Sequence, residues 1–168
     1  WRPFLGFLPP LNNQEWGRVF DLYKNTPEYS FYNKGMLLSE FKFIFFWEYF
    51  HRLWGRIIGI VFIIPFIYFL VTKKIDKSIT IRLLVILFFG SLQAFIGWWM
   101  VKSGLIDKPD VSQYRLAIHF GNSLLILFLL FWLILDLKYK KSRIKFDLNL
   151  IIFFIIFVTI IAGSLVAG

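Results

Sequence analysis

The sequence predicts an all-α protein, a polytopic bundle of membrane-spanning helices. Apolar residues make up 58% of the chain and mean hydropathy is +0.68, values outside the soluble globular range. These residues are gathered into four long blocks with almost no charge inside them. The formal charge of +9 sits mostly in two short segments between blocks. In a soluble chain such charge suggests nucleic acid. Here its placement reports topology, the expected surroundings are a lipid bilayer, and no nucleic-acid partner is expected. The chain has no cysteine, which excludes a disulfide, a thiol nucleophile and a thiolate-bound metal.

Residues 1–40 hold no spanning segment and read as an outer-side loop with one short amphipathic helix. Pro9-Pro10 breaks the chain, and Asn12 or Asn13 is placed to cap a helix over Glu15 to Tyr23. Trp16, Val19, Phe20 and Tyr23 share one face of it. That face suits a membrane surface or a packed cover over the bundle end. Asn25-Thr26-Pro27 ends this helix, Asn33-Lys34-Gly35 makes a turn, and Ser39 is the expected N-cap of the next element.

Four spans follow. The first runs from about Phe41 to Thr72 and contains Pro65, a candidate kink. Lys73, Lys74, Asp76, Lys77 and Arg82 form a basic loop. The second, Leu83 to Val101, carries Gln93 and Gly97 and ends in Trp98-Trp99. After a mixed-charge loop with a turn at Pro109-Asp110, the third runs from Leu116 to Leu135 and carries His119. Lys138, Lys140, Lys141, Arg143 and Lys145 precede the fourth, Leu148 to Ala167. The positive-inside rule puts loops 73–82 and 138–145 in the cytoplasm, and 1–40 and 102–115 on the opposite side. Segment 41–137 thus carries three spans, and 138–168 a basic inner loop and one more. The chain opens on Trp1 and stops at Gly168 directly after an apolar run, so a piece of a longer membrane protein is expected.

Ionisable groups are costly in hydrocarbon and usually mark function. The stretch Trp47 to Arg56 places Glu48, His51, Arg52 and Arg56 at the head of the first span. At i, i+3 and i+7, Glu48, His51 and Gly55 share a helical face, which Gly59 continues with a second small residue. The two histidines of the chain are His51 and His119. His51 lies 21 residues before Thr72 and His119 18 before Leu137, roughly 31 Å and 27 Å along a helix. Both spans run inward, so both imidazoles sit near the outer edge of the hydrocarbon. Two imidazoles at matched depth suit the two axial positions of one heme iron. Gly55, Gly121 and Ser123 leave space nearby. The alternatives are helix-end histidines bonded to carbonyls, or a proton relay. Zinc lacks a third ligand of the usual kind. Arg52, Arg56 and Arg115 are candidates for heme propionates, or else Arg52 and Arg115 snorkel to headgroups. Glu48 either handles charge and protons beside the heme or pairs with Arg52 at i+4. Gln93 reads as a link between helices.

At this point the residues resemble the heme A synthase family in its mitochondrial and alphaproteobacterial form. The resemblance rests on Trp1-Arg2-Pro3 with Leu8-Pro9-Pro10-Leu11, Pro27-Glu28-Tyr29, Asn33-Lys34-Gly35-Met36 and Glu48-Tyr49-Phe50-His51-Arg52. It continues through Gly97-Trp98-Trp99-Met100-Val101-Lys102-Ser103-Gly104-Leu105, Pro109-Asp110-Val111-Ser112-Gln113-Tyr114-Arg115 and Gly163-Ser164-Leu165-Val166-Ala167-Gly168. It implies an eight-helix protein of two similar four-helix repeats, of which this chain resembles the loop after helix 1 and then helices 2 to 5. It implies oxidation of the C8 methyl of heme O to the formyl of heme A, for terminal oxidase assembly. His51 and His119 would hold the substrate-side heme and Glu48 would assist, while a heme B cofactor belongs to the other repeat, so the fragment alone is expected to be inactive. Some bacterial relatives carry a cysteine pair in the first outer loop; residues 1–40 have none. Expected partners are heme O as substrate, heme O synthase or oxidase assembly factors, and a second copy in a homo-oligomer. The expected location is a bacterial inner membrane or the mitochondrial inner membrane. The competing reading is a b-type membrane cytochrome that only carries electrons.

Overall fold

The computed structural model describes residues 8–104, 109–139 and 148–166. Six helices follow one another: α1 (Asn13–Lys24), α2 (Pro27–Phe31), α3 (Leu38–Val71), α4 (Lys77–Gly104), α5 (Gln113–Tyr139) and α6 (Leu148–Val166). No strand occurs among the described residues. With 34, 28 and 27 residues, α3, α4 and α5 are long and apolar enough to cross a bilayer, and the chain is an integral membrane protein. The fourth predicted span is apolar but short: α6 has 19 residues, about 28 Å of helix. The basic residues Lys140, Lys141, Arg143 and Lys145, and the Trp1-Arg2-Pro3 motif, lie outside the described residues.

The chain divides into two compact units, residues 1–68 with 105–110 and residues 69–104 with 111–168. In the first, α1 begins as predicted at Asn12, whose side chain accepts from Glu15 N–H at 2.8 Å. The Glu15 carboxylate turns back to accept from the Asn12 amide at 3.0 Å and from Leu11 N–H at 2.9 Å. Its apolar face is spent on packing: Phe20 and Tyr23 close over Phe41 of α3, and Trp16 sits edge-on to Phe45 at 5.0 Å. Of the two uses of that face, cover over another helix is the one built here.

Thr26-Pro27 ends one helix and also starts another, which the sequence reading missed. The Thr26 hydroxyl donates to Tyr23 C=O at 2.7 Å and accepts from Tyr29 N–H at 3.3 Å, with Pro27 in the first helical turn. The Asn33-Lys34-Gly35 turn closes through Met36 N–H to Asn33 C=O at 3.0 Å, and Gly35 takes φ 88°, open to glycine without strain. Ser39 is not the N-cap of α3. The helix starts at Leu38, and Glu40 accepts from Leu37 N–H at 2.8 Å, so the carboxylate does the capping.

In the second unit, the end of α3 turns through Lys73 at φ 53°, where Lys74 N–H reaches Phe69 C=O and Lys73 N–H reaches Leu70 C=O. Asp76 then caps α4 by accepting from Ile79 N–H at 2.8 Å. Arg82, placed in the loop by its charge, is instead inside α4 and paired with Asp136 of α5. α5 packs on α4 and α6 on α5. Gly121 serves that second seam, since a Cβ there would stand 3.0 Å from Ile161 Cδ1. Ser123 bonds its own helix at Phe120 C=O, 2.6 Å away.

Candidate functional site

Continuous helix through α3 preserves the spacing of Glu48, His51 and Gly55 along one side. Glu48 lies 2.5 Å from Arg52 in an i, i+4 ion pair, with both side chains about one third exposed. His51 is exposed and Arg56 is half-buried. A Cβ at Gly55 or at Gly59 would meet nothing within 4 Å among the described residues, so this face of α3 is open within its unit. Of the proposed roles for Glu48, the ion pair with Arg52 is formed.

The second group of predicted residues lies where α4 packs on α5. His119 is half-buried, with Nδ1 enclosed in the seam. Its ring lies against Gly97 of α4: a Cβ there would stand 2.9 Å from His119 Cε1, closer than carbon atoms tolerate. The glycine leaves the volume in which the imidazole sits. Its Nε2 faces Gln93 Nε2 at 3.3 Å. Gln93 Oε1 accepts from Asn122 at 2.7 Å, and the same Asn122 amide donates to Phe89 C=O at 3.0 Å. Gln93 thus joins helices, as read from the sequence, and also contacts the histidine. One turn before His119, the Arg115 guanidinium lies 4.9 Å over the Trp99 ring. Arg115 is thereby laid along the face of α4.

The sequence reading passed over Asn122 and the cradle role of Gly97. Asn122 is polar, buried and three residues after His119, so its position on the same face was readable from spacing. Gly97 gave no such signal, because only the facing helix shows what its missing side chain admits. Among the described residues, no three His, Asp or Glu side chains gather into a conventional metal site.

Comparison with known proteins places these residues in a lineage. The family model COX15-CtaA, described as cytochrome oxidase assembly protein, matches residues 1–168. Over 176 residues the chain is 44% identical to a protein of Nitrosospira multiformis named heme A synthase, covering 100% of this chain and 49% of that protein. It is 45% identical over 172 residues to a protein of the same name from Parvibaculum lavamentivorans, covering 100% and 50%. A third of that name, from the Wolbachia of Culex pipiens, is 47% identical over 174 residues, covering 100% and 53%. The chain therefore spans about half the length of the curated relatives it matches. No solved structure matches it.

Proposed function

The chain belongs to the COX15-CtaA family of cytochrome oxidase assembly proteins, and from that premise we propose that it holds heme O for oxidation of its C8 methyl to the formyl of heme A. In this reading His51 and His119 would hold the heme iron. The observation that carries it is the His119 cradle, an imidazole seated against the bare backbone of Gly97. The donor set fits the group: neutral imidazole is a heme ligand, the chain offers two, and it offers no thiolate. Each histidine stands 20 residue steps, about 30 Å of helix, before the end of its own helix, at Val71 and Tyr139.

When bound, the heme supplies the iron and the edge carbon to be oxidised. The chain supplies binding, orientation and a route for protons. Arg115, stacked on Trp99, holds a propionate through its free edge, with Arg52 and Arg56 as the other candidates. Glu48, held by Arg52, accepts protons leaving the substrate edge. Heme O synthase or oxidase assembly factors would deliver substrate or take product, and a second copy of the chain is a further partner to test. The membrane is the bacterial inner membrane or the mitochondrial inner membrane, with the histidines near its outer side.

The reading is tested by titrating heme O into the protein and its His51→Ala and His119→Ala variants. The expected spectrum is low-spin with two imidazoles, and each variant should lose it and bind at least tenfold more weakly. Spectra unchanged in both variants would reject the assignment.

A further inference from the structure

The polar atoms between α4 and α5 form a chain with a direction. It is anchored on the Phe89 carbonyl, which can only accept, so the Asn122 atom 3.0 Å away is the amide nitrogen. That nitrogen is also 2.7 Å from Gln93, which must present its oxygen there. The other end of the Gln93 amide, its NH2, is then the group facing His119 Nε2 at 3.3 Å. An amide nitrogen has no lone pair to offer and donates. His119 Nε2 is accordingly the accepting nitrogen, and a neutral ring held this way has its proton on Nδ1.

We propose that Gln93 and Asn122 are positioning residues that hold His119 in the Nδ1-protonated tautomer, with the Nε2 lone pair kept unprotonated and lightly capped. This rests on the heme reading above, since Nε2 is then the atom presented to iron. The cap is a long hydrogen bond between neutral groups, so a ligand bond displaces it readily. Fixing the tautomer removes the need to move a proton within the membrane before ligation. Gln93 is a better choice than a carboxylate at this position. A carboxylate would accept from Nε2–H, placing the proton on the atom that has to bind.

The test is nitrogen NMR of histidine-labelled protein in lipid nanodiscs without heme, with His119→Ala assigning the signal. The expected signal in the unaltered protein is Nδ1–H with unprotonated Nε2. In Gln93→Glu the proton should move to Nε2, and hemin affinity should fall about tenfold. In Asn122→Leu, which frees the Gln93 amide to turn, a mixture of tautomers is expected. Nε2–H in the unaltered protein, which needs no variant to observe, overturns the proposal, as does an unshifted tautomer in Gln93→Glu. An intact tautomer bias with hemin binding indifferent to His119→Ala would instead overturn the heme reading.

Discussion

The Arg115 guanidinium lies over the Trp99 ring, 4.9 Å from its centroid, one helical turn before His119. Stacking leaves the guanidinium edge free to pair with an acid. Arg115→Gln should therefore lower heme affinity about tenfold while moving the thermal midpoint by only a few degrees. Trp99→Leu should give a smaller loss, roughly threefold, because the arginine remains but is no longer steered. If Arg115 serves packing alone, both variants will shift the midpoint and leave heme affinity unchanged.

The ion pair of Glu48 with Arg52 separates the two functional readings. With both side chains about one third exposed, the pair holds the Glu48 carboxylate against the helix one turn before Arg52. Glu48→Gln should keep heme binding within about twofold. In the protein that turns over heme O, it should slow the reaction by about a hundredfold, the usual scale for a lost proton-transfer group. An electron carrier would lose little of its reduction rate on the same substitution. Paired measurements of binding and turnover make the distinction.

Gly97→Ala sets helix propensity against the histidine. Alanine favours the helix by up to about 1 kcal/mol, but its Cβ would stand 2.9 Å from His119 Cε1. The ring must move, so the His119 NMR signal should shift and heme affinity should drop at least tenfold. The thermal midpoint should stay within a few degrees. A variant that binds heme as tightly as the parent would show that the cradle is not needed.

Tyr23 makes the outer segment sensitive to alkali. It is 2% exposed, donates to Glu28 at 3.1 Å and accepts from Asn33 at 2.6 Å. Burial, with Glu28 nearby, pushes its pKa from 10.0 up to about 12 despite the opposing Asn33 bond. The folded value is the higher one, so the folded protein holds the proton longer. Its stabilising contribution is complete below pH 10 and is lost as pH rises through about 12. Denaturation curves from pH 9 to 12 should show this loss, with the difference removed in Tyr23→Phe; identical slopes would contradict it.

Three of the four predicted spans were legible because their signal is bulk composition: long apolar runs have few folds open to them. Their ends were less so. Arg82 marks the end of apolar sequence, but backbone hydrogen bonding continues past it and the charge finds Asp136 instead. Ser39 looked like a cap because hydroxyls often cap, yet Glu40 reached the exposed N–H first. Thr26 was legible as an end and hidden as a beginning, since one side chain did both. On α3, the pairing of Glu48 with Arg52 followed from helical spacing alone. The environment of His119 did not, because Gly97, Gln93 and Asn122 act across a seam between helices far apart in sequence.

The fastenings along that seam have a mechanical corollary. Arg82 with Asp136, Phe89 with Asn122, and Trp99 with Arg115 tie one antiparallel pair at three heights. Sliding one rod past its neighbour by a single turn, about 5.4 Å, would undo all three together. The pair is therefore keyed like a lock bolt: a slide is opposed at three heights at once, whereas a change of rotamer along the seam leaves the fastenings in place.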